Sequence, residues 1–407
     1  MVRVLALLTL SFAVLLAVTA PVAGAAQTYG PPYTPPPVLL LARVAVDPDG
    51  RAWVTGRNGL TSDSLVGYYE GTTWHAVPAP PSRYPDAILP LGLDDVWVVC
   101  GAKLVHWDGA AWTVTPHARI AGLDIRDIAG SAADDVWVAG RRNGLLLRLP
   151  GDGAGERTWL QKPVTMHWDG RAWSVVRTPA LPGVDQGLDA VAAGGGQVWA
   201  VGEIRRLTNA DQIGSTSAGP LYKYAPLALQ WRDGAWRRVR HTNYGRGGTY
   251  LVDIAVLPDG SPWTAGVVRG DADGATRYER WYTLVERRQG TDWIVRQAST
   301  YRWRVLPWAL TATSDSDVWV AYMDNRGWPG VEQWDGAAWQ TWSVEDLGWT
   351  PGLGMIGTGI PDVAAVPGGV WLLGGWTTLA DEADTTGDQL VWRHDAAGWA
   401  KIPFALP

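Results

Sequence analysis

Apolar residues stand side by side in short runs that recur along this chain: Val96-Trp97-Val98-Val99-Cys100, Val136-Trp137-Val138-Ala139, Val318-Trp319-Val320-Ala321. Successive side chains of a strand point to opposite faces, so runs of this kind bury both faces of their sheet. Polar turn residues bound each run, as Ser131 to Asp134 does before Val136. No segment keeps a sustained helical period. The elements expected are therefore short strands, in sheets covered on both sides. A two-sheet sandwich would leave one face of each strand polar, which these runs do not do.

The runs recur on the pattern Val-Trp-x-x-Gly, which divides the chain into seven units. Their first tryptophans are Trp53, Trp97, Trp137, Trp199, Trp263, Trp319 and Trp371, spaced 40 to 64 residues apart. That spacing brackets the period of four-stranded propeller blades. A second tryptophan closes each unit: Trp74, Trp112, Trp173, Trp236, Trp293, Trp339 and Trp399. Before it stands Trp-Asp-Gly, complete at Trp107-Asp108-Gly109, Trp168-Asp169-Gly170 and Trp334-Asp335-Gly336. In the third unit Asp124 to Ala129 reads as strand A, Val136 to Ala139 as B, Val164 to Trp168 as C and Ala172 to Val176 as D. Asp-Gly between two apolar runs is a strong hairpin signal. The fold class expected is all-β, a seven-bladed β-propeller of four-stranded antiparallel blades. Every unit carries its four strands in order, so the ring is expected to close by packing of the first blade on the seventh, with no strand exchanged.

Composition sharpens this picture. The chain has 27 Trp and 2 Phe, so tryptophan is the core aromatic. Burying one removes ~200 Å² from water, worth roughly 5 kcal/mol before entropy is charged. Stacked repeats can then bury a continuous core that one repeat could not. Residues 1–25 read as a signal peptide: Arg3, an apolar run from Val4 to Val18, then Ala23-Gly24-Ala25. Residues 26–37 read as a Pro-rich extended segment and 38–407 as the propeller; the expected location is secreted, extracellular, with no membrane span after cleavage. Cys100, the one cysteine, lies in an apolar run and reads as a buried hydrophobe. The formal charge of −6 carries no basic block, so nucleic acid is not an expected partner.

The repeat Asp-Val-Trp-x-x-Gly … Trp-Asp-Gly-x-x-Trp resembles secreted bacterial β-propellers of the kelch and galactose-oxidase-like kind. Asp47-Pro-Asp-Gly-Arg-Ala-Trp53 is similar to the repeat of two-component-regulator propellers. The resemblance covers residues 38–407 and implies the fold. Galactose oxidase chemistry needs a cross-linking cysteine, and Cys100 sits in a core strand, so that chemistry is not carried over.

In a four-stranded blade the A–B and C–D connections share one face of the disc, and the B–C and D–A connections share the other. The former are short and alike here. The latter vary most, with B–C segments of about 25 residues in the third to fifth units, and variable loops on one face mark a binding face. Basic residues follow the strand-B tryptophan there: Arg57, Lys103, Arg141, Arg205, Arg269 and Arg326. Converging on one axis they would suit an anionic ligand such as an acidic sugar; the plainer alternative pairs them with neighbours such as Glu203, Asp271 or Asp324. Trp281, Trp328 and Trp376 fall in B–C segments and could stack on sugar rings, whereas Trp308 and Trp342 are expected to extend strands into the core. Asp271-Ala-Asp273-Gly274 has the opening of a calcium loop, but Arg280 stands where the closing Glu belongs. His106 and His167 share one repeat position with Gln230 and Gln333 and read as structural. No catalytic or zinc pattern is present, so no metal or cofactor is expected.

The function expected is that of a non-enzymatic, monomeric binding protein, engaging a glycan or an extracellular protein through the B–C/D–A face. A polysaccharide lyase or glycosidase on the same face is the alternative, marked by an axial pocket holding Arg, Tyr and a perturbed carboxylate. A structural module of an extracellular assembly is the third.

Overall fold

A computed structural model describes residues 39–58, 63–82, 85–115, 122–148, 157–179, 185–207, 222–245, 247–270, 281–296, 306–323, 329–343, 345–348, 355–378 and 389–406. The chain divides into two compact units, Met1–Pro36 and Pro37–Pro407, and every described residue belongs to the second. The signal peptide expected at 1–25 and the Pro-rich segment at 26–37 lie outside the described residues.

Seven four-stranded antiparallel sheets follow one another in sequence order. Blade 1 is β1 (Leu39–Val46), β2 (Ala52–Asn58), β3 (Ser64–Glu70) and β4 (Thr73–Val77). Blade 2 is β5 (Pro85–Gly92), β6 (Asp95–Cys100), β7 (Lys103–Trp107) and β8 (Trp112–Thr115). Blade 3 is β9 (Leu123–Ala132), β10 (Asp135–Arg148), β11 (Arg157–Trp168) and β12 (Trp173–Val176). Blade 4 is β13 (Asp185–Gly194), β14 (Gln197–Leu207), β15 (Tyr222–Arg232) and β16 (Ala235–Val239). Blade 5 is β17 (Gly248–Val256), β18 (Pro262–Arg269), β19 (Trp281–Gln289) and β20 (Asp292–Val295). Blade 6 is β21 (Leu306–Ser314), β22 (Asp317–Met323), β23 (Pro329–Trp334) and β24 (Trp339–Ser343). Blade 7 is β25 (Met355–Val366), β26 (Gly369–Thr378), β27 (Gln389–Asp395) and β28 (Gly398–Ile402). The first strands touch cyclically, β1 to β5, β9, β13, β17, β21, β25 and back to β1, so strand A lines the axis in every blade. This is the expected seven-bladed propeller, closed without strand exchange.

The adjacent apolar residues divide between two interfaces, as their alternation requires. Val136 and Val138 of β10 pack with blade 2, in a cluster with Trp97, Val99 and Leu104. Trp137 and Ala139, one step along, pack with blade 4 against Val198, Leu227 and Trp236. The seven strand-B tryptophans are all buried, and five of them pack on the strand-D tryptophan of the next blade, among them Trp97 on Trp173 at 5.4 Å, Trp137 on Trp236 at 5.5 Å and Trp319 on Trp399 at 5.9 Å. Trp371 meets Trp74 at 6.4 Å, so the closing interface repeats the rest.

The Asp-x-Trp spacing of blades 3 and 6 has a local cause. Asp135 Oδ1 accepts the indole N–H of Trp137 at 2.8 Å and lies 2.9 Å from His167 Nε2. Asp317 does the same for Trp319 (2.7 Å) and the amide of Gln333 (2.9 Å). His167 also stacks on Trp137, at 4.2 Å. The repeated His/Gln position therefore orients the core tryptophan, as its place in the repeat implied. In the C–D hairpin, Trp168 pairs with Trp173 across a four-residue loop, longer than a two-residue turn. Asp169 Oδ1 accepts the amides of Arg171 and Ala172 there, and Gly170 supplies the φ of +84° that the reversal needs.

One reading of the long B–C segments changes. In blade 3, β10 and β11 stay paired out to Arg148 and Arg157, well beyond the core run at Val136 to Ala139. In blade 4, pairing continues to Leu207 and Tyr222. Much of what resembled loop is extended hairpin, because backbone pairing continues after the apolar run that marks the core has ended.

Candidate functional site

Each strand A is irregular at the same level. The register skips between Leu41 and Arg43, Pro85 and Ala87, Ile125 and Asp127, Leu188 and Ala190, Leu251 and Asp253, Pro307 and Ala309, and Thr358 and Asp362. Bulges of this kind re-aim side chains. Around this level lies an axial cavity of about 190 Å³, walled by residues of all seven blades. After the irregularity come Arg43, Ala87, Asp127, Ala190, Asp253, Ala309 and Asp362, placing a carboxylate in blades 3, 5 and 7.

Those three carboxylates join blades. Asp127 Oδ2 accepts Val191 N of blade 4 at 2.8 Å, Asp253 Oδ2 accepts Leu310 N of blade 6 at 2.6 Å, and Asp362 Oδ2 accepts Val44 N of blade 1 at 3.0 Å. The other oxygen of Asp253 and Asp362 takes the following amide of its own strand. Burial holds all three carboxyls above their ordinary range, Asp127 at about 7 and Asp253 well up, the latter raised further by Asp127 and Asp362. Arg43 opposes the rise at Asp127 and Asp362. Trp308 lines the same cavity and is 44% exposed, which corrects the expectation that it extends a strand into the core: it sits at the bulge, whose side chain turns to the axis. Trp342, by contrast, stacks on the buried Trp319 at 5.5 Å.

Between blades 3 and 4 the expected cations carry their own counter-charges. Arg141, on β10, pairs with Asp189 and lies 3.0 Å from Glu203. Arg205, on β14, lies 2.7 Å from Asp185 and 3.4 Å from Glu203. Both also donate to Gln161 Oε1, at 3.4 and 3.2 Å. Burial raises the Glu203 carboxyl, with Asp189 adding repulsion and both arginines opposing it. Two arginines thus share three carboxylates, so this part of the ring does not present net positive charge.

Between blades 4 and 5, Arg269 lies over Tyr224 at 4.6 Å and over Trp281 at 5.5 Å. Burial, with the charge of Glu203, keeps the Tyr250 phenol up and protonated. Trp281 is the first residue of β19, half-buried beneath that arginine rather than free on a loop. Deeper in the blade, Glu286 is buried with His241 Nε2 at 2.8 Å and accepts the Tyr244 hydroxyl at 3.0 Å.

A second cavity, of about 570 Å³, opens between blades 1 and 2 on the predicted face. Asp63 and Ser64 where β3 begins, Ala79 to Ser82 from a D–A connection, and exposed Lys103 at the start of β7 form its walls. The Ser64 hydroxyl donates to the Ser82 carbonyl at 2.5 Å, tying the first two walls together. Sequence pointed to Lys103 here but not to its neighbours, whose approach depends on how the D–A chain crosses.

Arg57 is half-buried at the end of β2, paired in register with Leu40 and Ser64. Trp376 falls in β26, opposite Gly357, and so belongs to strand B rather than to the B–C loop. Arg326, Trp328, Asp271 and Asp273 lie outside the described residues. Among the described residues no cluster of three or more metal-ligating side chains occurs, and no helix is long and apolar enough to cross a membrane.

No protein-family model and no curated protein matches the chain. Solved structures do. A puromycin-hydrolysing peptidase of Mycobacterium tuberculosis is 15% identical with a TM-score of 0.53, over 91% of this chain and 54% of that one. YCF48 bound to a D1 peptide is 15% identical with a TM-score of 0.49, over 86% and 95%. The six-bladed fucose-recognising lectin of Aleuria aurantia is 13% identical with a TM-score of 0.41, over 75% and 95%. At these identities the likeness concerns the fold alone.

Proposed function

We propose that this is a secreted, non-enzymatic binding propeller that engages a glycan through the B–C/D–A face, with the groove between blades 1 and 2 as its site. The observation that carries the reading is the chemistry of that groove. Asp63 and Lys103 bring carboxylate and ammonium groups, and Ser64 a hydroxyl oxygen whose proton is held by the Ser82 carbonyl, beside the pyrrolidine rings of Pro80 and Pro81. Sugars present the matching combination, hydroxyls around the edge and apolar C–H faces. A peptide partner of an extracellular protein would use the same groove through its backbone groups.

The enzyme alternative has one observation in its favour. Arg141, Tyr250 and the perturbed Glu203 carboxyl gather near Asp189, which lines the axial cavity. A tyrosine acting as base must lose its proton, however, and here burial raises the phenol instead of lowering it. The binding reading is therefore preferred.

A glycan array probed with the purified mature chain tests the proposal. Binding of a defined glycan class is expected, with loss in Lys103→Glu while circular dichroism stays unchanged. Shortening of the arrayed glycan would transfer the assignment to the enzyme. Absence of binding to every glycan would sink the carbohydrate reading.

A further inference from the structure

The interface between blades 7 and 1 is the one the chain does not cross through a D–A connection. Each of these blades is complete in itself, β25 to β28 and β1 to β4, so no shared strand bridges them. Beside the core packing of Trp371 on Trp74, two further sets of contacts join them among the described residues. Near the axis, Asp362 accepts the amide of Val44. At the outer radius, the residues after β28 pass onto blade 1.

The first of these outer contacts recurs in two other interfaces. The carbonyl just after a strand D accepts the strand-D indole of the next blade: Pro78 from Trp112 at 2.5 Å, Arg240 from Trp293 at 3.2 Å, and Pro403 from Trp74 at 3.0 Å. The next contacts belong to the closing interface. Phe404 packs edge-on against Trp74 at 4.8 Å. Leu406 fills the space above Gly67, where a Cβ would stand 2.6 Å from its Cδ2. After Pro78 and Arg240 the chain turns inward to begin the next strand A. After Pro403 it runs on over β3 and β4.

We propose that Pro403–Leu406 is a strap that holds the ring shut, and that the interface between blades 7 and 1 opens when the strap lifts while the other six stay closed. Three physical features support this. The strap makes no ladder hydrogen bonds, and all four of its residues are half-buried or exposed. Segments with few buried contacts and no ladder open at low free energy. Every other interface keeps its two blades tethered by a covalent connection, so separation there is limited, whereas among the described residues blades 7 and 1 meet through packed side chains and the Asp362 contact, with no connecting chain. Lifting the strap uncovers Trp74, on which Trp371 of blade 7 packs.

Native-state hydrogen exchange on the full chain, on Phe404→Leu and on a chain ending at Ile402 tests this. Amides of β1–β4 and β25–β28 are expected to exchange at least tenfold faster without the strap, with β13–β20 unchanged. Phe404→Leu should give a smaller increase in the same strands. Unchanged exchange in blades 1 and 7 overturns the proposal. So does an equal increase in all seven blades, which would make the strap a contributor to global stability only. Should the shortened chain fail to fold, Phe404→Leu decides by the same two criteria.

Discussion

Glu332 offers a quantitative test of how this core is built. It stands on β23 opposite Val320, at the repeat position that holds Val105 in blade 2, Met166 in blade 3 and Leu229 in blade 4. Its residue is 1% exposed. The Thr341 hydroxyl donates to Oε1 at 3.2 Å, while Oε2 meets no hydrogen-bond partner among the described residues. Glu286, at the same position in blade 5, has His241 and Tyr244 beside it. Burial pushes the Glu332 carboxyl up to about 8 from an ordinary 4.5. Such a group is neutral in the folded chain and ionised in the unfolded chain between those two values. The folded state therefore loses stability as pH rises through that window, by about 1.4 kcal/mol per unit, and the loss levels off above it. Over the whole window this comes to about 5 kcal/mol, and at pH 7 to about 3 kcal/mol. Replacing Glu332 by Met, the residue that blade 3 accommodates, should remove the loss. Urea unfolding of both proteins at pH 5, 7 and 8.5 is the assay. The stabilisation is expected to be small at pH 5 and to grow to about 3–5 kcal/mol at pH 8.5. A difference independent of pH would refute the reasoning, since Glu332 would then ionise alike in both states, and so would one that shrinks as pH rises, since its carboxyl would then be more acidic in the folded chain.

Four other outcomes follow from the same contacts. Asp362→Ala leaves the amides of Val44 and Val363 without their acceptor and should cost about 1–3 kcal/mol in chemical denaturation, whereas a cost near zero would mean that water replaces the carboxylate. Arg141→Met strands Asp189 and Glu203 and should destabilise by about 3–5 kcal/mol, with most of the loss recovered when Glu203→Gln is added. Trp97→Ala should cost about 3–5 kcal/mol, read as a fall in the melting temperature, because it empties the contact with Trp173 and Trp168. Cys100 is buried and its thiol is pushed up to about 12, so it should resist a thiol reagent at pH 7.5 until denaturant is added; rapid reaction of the native chain would contradict that placement.

The blade count and the interblade tryptophan contacts were legible because they depend on short-range features. Val136-Trp137-Val138 states in three residues that both faces are covered, and the Asp two positions before Trp137 and before Trp319 is held by a hydrogen bond within the same strand. The axial carboxylates were not singled out, although a signal was present. Asp127-Ile-Ala, Asp253-Ile-Ala and Asp362-Val-Ala repeat in strand A, yet their role depends on a bulge and on an amide of the next blade, 57 to 318 residues away. Glu203 was named from the sequence as a counter-charge and does meet Arg205 and Arg141, but Asp189 and Asp185 were not. Arg141 meets Asp189 of the neighbouring blade, and only the ring brings the two together.

The sequence by itself therefore determined what is periodic: seven blades, four strands in each, and the tryptophan that every blade sets against the next. Those follow from alternation and from hydrogen bonds between residues close in the chain, which no distant partner needs to complete. Tertiary structure alone decided what breaks the repeat. Carboxylates in alternate blades, the neutralised arginines, the groove beside Lys103 and the strap over Trp74 each require two blades at a fixed distance. Their energies come from burial and charge pairing across that distance, which only closure of the ring sets.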